Sequence, residues 1–465
     1  MQQLAAIAGL TWKAAFRFRL FLVIAVLLIG SVVALPLLIK DDGTARGCAQ
    51  ILLTYTLSTI TILLGLSTLW LACGTLARDI EECQIQVVAV KPIARWQIWL
   101  GKWLGIMSLN AALLALTGAS VYGLLLWRAS RLPLEQRQVL RNEVLVARAS
   151  AKPASVDQEI QSRATQLMRE RLQKISTAQL TQSELAEVSK QIFEQVKAGY
   201  QIVLPGYQRT WEIPMSSARH APGNQPFYLR IKFNAAQTSS SGTFGGFWLI
   251  GAARPDRPPV RLPPMSLAPD TFHEFEIPSN LLDDNGVLTI SFANLNDTAL
   301  LFPLEDGIEV LYREGNFGLN FVRGLGIIFC WMGLLSALGL ASASFLSFPV
   351  AAFLSLAVLT LSLSTTTMAS VVASGSVLGA DEETGIPGHS IIDGLAIPAF
   401  RGVLAVINLA KDFSPIDALS TGRSITWGEL GQAFSQIVLL LSGLISLGGI
   451  AIFNRRELAT AQGNQ

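Results

Sequence analysis

The sequence predicts a polytopic α-helical membrane protein: six transmembrane helices, with an α+β domain inserted outside the cytoplasm between helices three and four. Three observations carry that expectation. The chain of 465 residues is 51% hydrophobic and only 15% charged, against roughly 25% charged in an ordinary soluble domain, and its mean hydropathy is +0.44. The missing charge is concentrated in five uncharged stretches, each meeting the roughly 20 apolar residues that a helix needs to cross the hydrocarbon. Between the third and fourth stretches lies a long polar section with its own secondary-structure signals. The net charge of +2 implies neither a basic nucleic-acid surface nor an acidic tail.

Residues 1–127 hold the first three spans. The opening "LTWKAAFRFRLF" sets Trp12, Phe16 and Phe18 among basic residues. It reads as an amphipathic helix in the headgroup zone, or simply as the charged flank of the first span. The spans follow at Leu20–Ile39, Gly47–Ala77 and Trp103–Trp127. Residues 319–465 hold the other three. The uncharged run from Gly324 to Ala380 is too long for one helix, and Pro349 in "SFLSFPVAA" divides it into Gly324–Ala343 and Pro349–Val372. The last span runs from Leu430 to Asn454. Within the outer loop 373–428, "GLAIPAFRGVLAVINLA" carries Arg401 between Asp393 and Lys411, which fits a short surface helix better than a seventh span.

An even number of spans puts both termini on one side. Lys13, Arg17 and Arg19, then Arg78, Lys91, Arg95 and Lys102, then Arg455 and Arg456 all fall on the same face, and the positive-inside rule makes that face cytoplasmic. In the opposite short loop, Lys40 and Arg46 are balanced by Asp41 and Asp42. The expected location is a bacterial inner membrane, with residues 128–318 extracytoplasmic.

The section 128–318 divides in two. Residues 134–199 are polar and helical in pattern, with Thr181 and Glu184 spaced as a capping box. Residues 200–313 predict a small β-sandwich. In "FYLRIKFN", Phe227, Leu229, Ile231 and Phe233 alternate with Tyr228, Arg230 and Lys232, the period of a half-buried strand. "GVLTISFAN", "GGFWLIGA", "FHEFEIP" and "GIEVLYR" add strands between Gly-, Pro- and Asp-rich turns.

No catalytic, cofactor or metal residues are predicted. The sequence contains no HExxH, GxSxG or CxxC, and no GxxxxGK[ST] loop to cradle phosphates. His220, His273 and His389 are scattered, and the polar section contains no cysteine, so no disulfide framework holds it. Asp283-Asp284-Asn285-Gly286 and Asn294–Asp297 lack EF-hand spacing and read as turns. Asn296-Asp297-Thr298 matches a glycosylation sequon, and "ADEETG" at Asp381–Glu383 reads as a solvated loop.

One polar stretch stands out: "RDIEECQIQVVAVKPIARWQIWLGK", Arg78 to Lys102, between two long apolar spans. Asp79, Glu81 and Glu82 predict the N-terminus of a short helix over Asp79–Val90, because carboxylates favour that end of the dipole. Ile80, Gln84, Val87 and Val88 continue it at helical spacing, and Pro92 stops it after Lys91. Trp96, Trp99 and Trp103 then recur three and four residues apart, as membrane-interface anchors would, with Lys102 snorkelling beside them.

This segment resembles the coupling region of ABC-2 type transporter permeases: Arg78 with Glu81 or Glu82 in a short helix, then Lys91-Pro92, Arg95, and Lys102 entering span three. The ending "SQIVLLLSGLISLGGIAIFNRREL" is similar to the family's last span, with Arg455, Arg456 and Glu457 as its basic exit. The resemblance covers the six spans. Cys83 departs from it, standing where a small residue, often Gly, is expected.

The resemblance implies a membrane subunit that hydrolyses no ATP itself. Arg78, Asp79, Glu81, Glu82, Gln84, Lys91, Pro92 and Arg95 would then meet a separate ATPase subunit. A second permease subunit is implied as well, in a homodimer or a paralogous pair. Small residues at Gly101/Gly105 and Gly333/Ala337/Ala341 have the spacing for close helix packing. The resemblance implies nothing about the outer domain's task; in an exporter it would meet the substrate or an envelope partner, and in a sensor a glycan or an envelope protein. The competing expectation is a membrane-anchored sensor whose β-sandwich binds an envelope ligand without transport.

Overall fold

The computed structural model describes residues 2–17, 20–38, 44–84, 93–174, 182–215, 226–237, 242–251, 258–377, 392–411 and 413–456. Several residues singled out above lie outside these: Phe18, Arg19, Lys40, Asp41, Asp42, 85–92 with Lys91 and Pro92, Thr181, His220, 381–383, His389 and Glu457. The chain divides into two compact units, Met1–Ala147 with Asn316–Gln465, and Arg148–Gly315.

The first unit is helical. Four of its described helices are long and apolar enough to cross a membrane: α3 (Ala45–Glu81), α4 (Arg95–Arg131), α8 (Phe317–Ala343) and α13 (Trp427–Arg455). Even the shortest, 27 residues, is about 40 Å long at the helical rise of about 1.5 Å per residue. Between them in chain order come α5 (Leu134–Glu143), α6 (Asp157–Lys174) and α7 (Gln182–Gly199), the last two belonging to the second unit. Two apolar helices are shorter: α2 (Leu20–Leu38) and α9 (Phe348–Leu363).

The helix ends follow from local chemistry. Thr44 caps α3, its hydroxyl accepting from Gly47 N–H at 3.0 Å. Thr426 and Glu429 form a reciprocal capping box at the start of α13. Pro349 sits in the first turn of α9 behind Ser347, where a missing N–H is harmless. The run expected over Pro349–Val372 is not one helix. It breaks at Ser364, and α10 (Thr365–Ser374) follows as a separate piece, because a Ser-Thr-Thr-Thr run competes for backbone hydrogen bonds and resists helix continuation. The predicted surface helix is α11 (Asp393–Lys411), and α12 (Pro415–Ser420) precedes α13.

Small residues bring these helices together. A Cβ at Gly339 of α8 would stand 2.7 Å from Ala72 of α3, and one at Gly449 of α13 would stand 3.0 Å from Ala341 of α8. Gly101 and Gly105 of α4 receive Ile7 and Thr11 of α1 (Gln2–Arg17), to which a Cβ at each glycine would come within 2.8 and 2.7 Å. Trp12 then donates to Ser108 at 2.6 Å. Both sets of numbers rise together, so α1 runs parallel to α4 along its first turns. The two glycines offer a groove for the face of α1 that meets them. Buried hydroxyls in the long helices are satisfied within their own turn, Thr56 on Leu52 O, Thr68 on Leu64 O and Thr117 on Leu113 O, as an environment without water requires.

The second unit is β-rich. Two four-stranded sheets, in the orders β1 (Val146–Ala151), β11 (Ile308–Asn316), β4 (Phe227–Ile231), β8 (His273–Ile277) and β3 (Gln208–Pro214), β9 (Val287–Asn294), β6 (Gly246–Ile250), β7 (Val260–Arg261), and a small sheet of β2 (Ile202–Val203), β10 (Leu300–Leu301) and β5 (Asn234–Ala235) enclose one apolar core. The strands that matter below are β1, β4, β8 and β11. Helices α6 and α7 pair over Ile160, Ala164, Ile192 and Val196. Asp283 closes a turn onto Val287 with Gly286 at φ +76°, and the Asn294 and Asn296 amides are occupied by backbone partners.

Two expectations fail here. The helical section predicted over 134–199 is interrupted by β1. Its alanines mimic helix, yet Ala149 and Ala151 pack on the sandwich core while Arg148 and Ser150 face a polar cluster, a period of two. Nor is β4 half-buried: all five of its residues are buried. Arg230 lies in register between Glu309 of β11 and Glu274 of β8, 3.3 and 3.8 Å from their carboxylates. Arg148 reaches Glu274 at 3.2 Å, and Ser150 donates to Glu309 at 2.7 Å. Two cations and two carboxylates meet out of water, which lets a charged face be covered.

Candidate functional site

The described residues of the Arg78–Lys102 stretch, 78–84 and 93–102, converge with three other helix ends at one end of the helical unit. Asp79, Ile80 and Glu81 do not open a helix. They are the last turn of α3, with Glu82 as its C-cap. The expectation of a new helix starting at Asp79 fails because the preceding apolar helix simply continues. Carboxylates are disfavoured at a helix C-terminus by about 0.3–1 kcal/mol, and here each is answered from elsewhere. Asp79 pairs with Lys102 of α4 at 2.5 Å, and Lys102 also donates to Thr75 O at 2.7 Å. Glu81 accepts from Phe348 N–H at 2.8 Å, so its charge sits on the positive end of α9. Arg78 lies over the Phe348 ring, 4.6 Å from its centroid.

The chain turns after Glu82 through Cys83 at φ +56°, a left-handed conformation that L-residues other than Gly, Asn and Asp adopt at a cost of about 1–2 kcal/mol. A small residue, often Gly, is the expectation at this position. Glu82 is exposed and accepts from the Gln84 amide at 2.5 Å. The chain is described again from Ile93. Gln97 then accepts from Ala94 N–H, and Arg95 reaches across to the end of α13. Its Nη1 lies 3.1, 2.8 and 2.9 Å from the carbonyls of Phe453, Asn454 and Arg456. Those are carbonyls that a helix terminus leaves unsatisfied. Arg456 in turn donates to Ser344 O at 3.1 Å, just past the end of α8.

The tryptophan stripe has the predicted spacing but not the predicted surroundings. Trp96 is 45% exposed, whereas Trp99 is wholly buried among Leu76, Ile98, Leu340 and Phe453. Trp103 donates from Nε1 to Gly333 O at 3.1 Å. Trp96 is exposed and Trp103 half-buried, and Lys102, 7% exposed, is a buried ion-pair partner rather than a snorkelling cation. Sequence spacing fixes which residues share a helix face, not whether that face meets lipid or another helix. Arg456 and Ser344 were missed as partners. No local pattern marks them, because their roles exist only where α8, α9 and α13 end together.

No protein family model, curated protein or solved structure matches the chain.

Proposed function

We propose that this chain is the membrane subunit of an ABC-2 type transporter. Six helices cross the bilayer: α2, α3, α4, α8, α9 running into α10, and α13. Both termini and the stretch between α3 and α4 are cytoplasmic, and the β-rich unit is extracytoplasmic. A separate ATPase subunit, which performs all the hydrolysis, engages the polar excursion after α3, and two permease subunits make up the complex. The work leaves as export of a substrate or as motion passed to the outer domain.

The observation that carries this reading is the linkage of the excursion, at both its ends, to distant helices. Arg78 and Glu81 join its start to α9, and Arg95 joins its finish to α13. A simple connecting loop has no need of such bonds. A lever has, because a push on it must reach spans that are remote in sequence. A membrane-anchored sensor needs one span and no such linkage. Energetically, ATP drives the permease only if its two states contact the ATPase differently, so exposed Glu82 and Gln84 are the contact residues of choice.

The test is affinity purification in mild detergent with identification of partners, followed by Glu82→Lys. An ATPase subunit should co-purify, and its permease-stimulated turnover should fall in the variant. Absence of any ATPase, or unchanged stimulation, refutes the assignment.

A further inference from the structure

The contacts at this end of the bundle close on themselves. Starting from α3, Glu81 and Arg78 hold the first residue of α9. Ser344, four residues before that helix, holds Arg456 at the end of α13. The same terminal turn of α13 is held by Arg95 at the start of α4. Lys102 of α4 returns to Asp79 and Thr75 of α3. Five helix ends are thus joined in one ring, almost wholly by charged side chains on backbone carbonyls, an amide and one carboxylate.

Directly beneath the ring lies a separate apolar cluster containing Cys73, Leu76, Trp99, Ile106, Leu340 and Phe453. It is distinct from the larger core around Leu57, Ile60, Val121, Ile328 and Cys330. Every residue named in the smaller cluster is 3% exposed or less. Much of its closure comes from helix termini, which fray most readily unless tied.

We infer that the ring is a clasp: it shuts this end of the helical bundle, and its release opens the interior around Cys73 while the rest of the bundle stays packed. Arg95 is its central positioning residue, since one guanidinium nitrogen gathers three carbonyls of α13. Bonds of this kind, charged donor to carbonyl, are individually modest and reversible, which suits a contact made and broken in each cycle. The inference rests on the transporter reading only for the identity of what pulls the clasp open. The clasp itself is tested on the purified chain without any ATPase, so the two can fail separately.

Cys73 and Cys330 are built-in reporters, both buried, one under the clasp and one away from it. Two backgrounds are made in which one of them is the sole cysteine, and maleimide labelling is timed in lipid nanodiscs. Arg95→Gln should speed labelling of Cys73 about tenfold, the scale of losing one charged hydrogen bond from a local opening equilibrium, and leave Cys330 unchanged. Arg95→Lys, which keeps the charge but not the fork, should fall between. Equal labelling of Cys73 in all three proteins overturns the clasp. So does acceleration of both cysteines together, because that reports general unfolding.

Discussion

The pair Lys102–Asp79 allows a sharp test, because its two members are buried unequally. The Lys102 side chain is 8% exposed and that of Asp79 35%. At 2.5 Å the attraction is about 6–7 kcal/mol at an effective dielectric near 20, set against several kcal/mol of desolvation borne mainly by the lysine. Asp79→Asn therefore strands an ammonium group with the Thr75 carbonyl and little water. Removing one partner of a fully buried pair is worth about 3–5 kcal/mol; with Asp79 a third exposed, the low end, about 3 kcal/mol, is expected. Lys102→Met removes the buried charge and leaves a carboxylate that solvent reaches, so its effect should stay within about 1 kcal/mol. The double variant should resemble Lys102→Met, not the sum of the two singles. Reversible denaturation in detergent, with hydrogen exchange at the end of α3 as the local probe, measures all three. Equal losses in the two single variants, or a larger loss in Lys102→Met, would refute the reasoning.

Further expectations follow from the same geometry. Cys83→Gly should stabilise the end of α3 by about 0.5–1 kcal/mol, the relief of a left-handed residue less the flexibility glycine adds, read as greater exchange protection at Ile80–Glu82. Gly105→Val should dislodge α1, since its Cβ would stand 2.7 Å from Thr11, and faster proteolysis within residues 2–17 would report it; unchanged cleavage would deny the close packing. Glu309→Gln should loosen the four-stranded sheet by about 3 kcal/mol, because it leaves buried Arg230 short of a counter-charge, seen as lost protection in β4. Finally, exposed Cys83 should label with a membrane-impermeant maleimide in inverted vesicles but not in intact cells. The reverse result would invert the topology.

What was legible in the sequence was whatever one element decides for itself. The scarcity of charge marked the long apolar helices, and alternation in "FYLRIKFN" marked β4, since periodicity and composition are properties of a segment. The stretch from Arg78 to Lys102 was recognisable for the same reason: its density of charge and tryptophan is local. Its misreadings were equally physical. Carboxylates at Asp79 and Glu81 point to a helix N-terminus only if no helix arrives from upstream, and α3 arrives. The spacing of Trp96, Trp99 and Trp103 is helical whether the stripe faces lipid or, as for Trp99, the apolar cluster with Phe453. Alanines in β1 favour helix until β11 offers a strand to pair with.

The sequence by itself determined that this is a chain of long apolar helices with a β-rich unit in its middle, because free energies of burial and hydrogen bonding in each segment leave no other economical form. Only the tertiary structure decided which charges are paired. Arg95 with the end of α13, Glu81 with the start of α9, Lys102 with Asp79 and Arg230 between two glutamates are meetings of residues up to hundreds of positions apart. Electrostatic partnership depends on distance in space and on the water that remains, and neither is written along the chain.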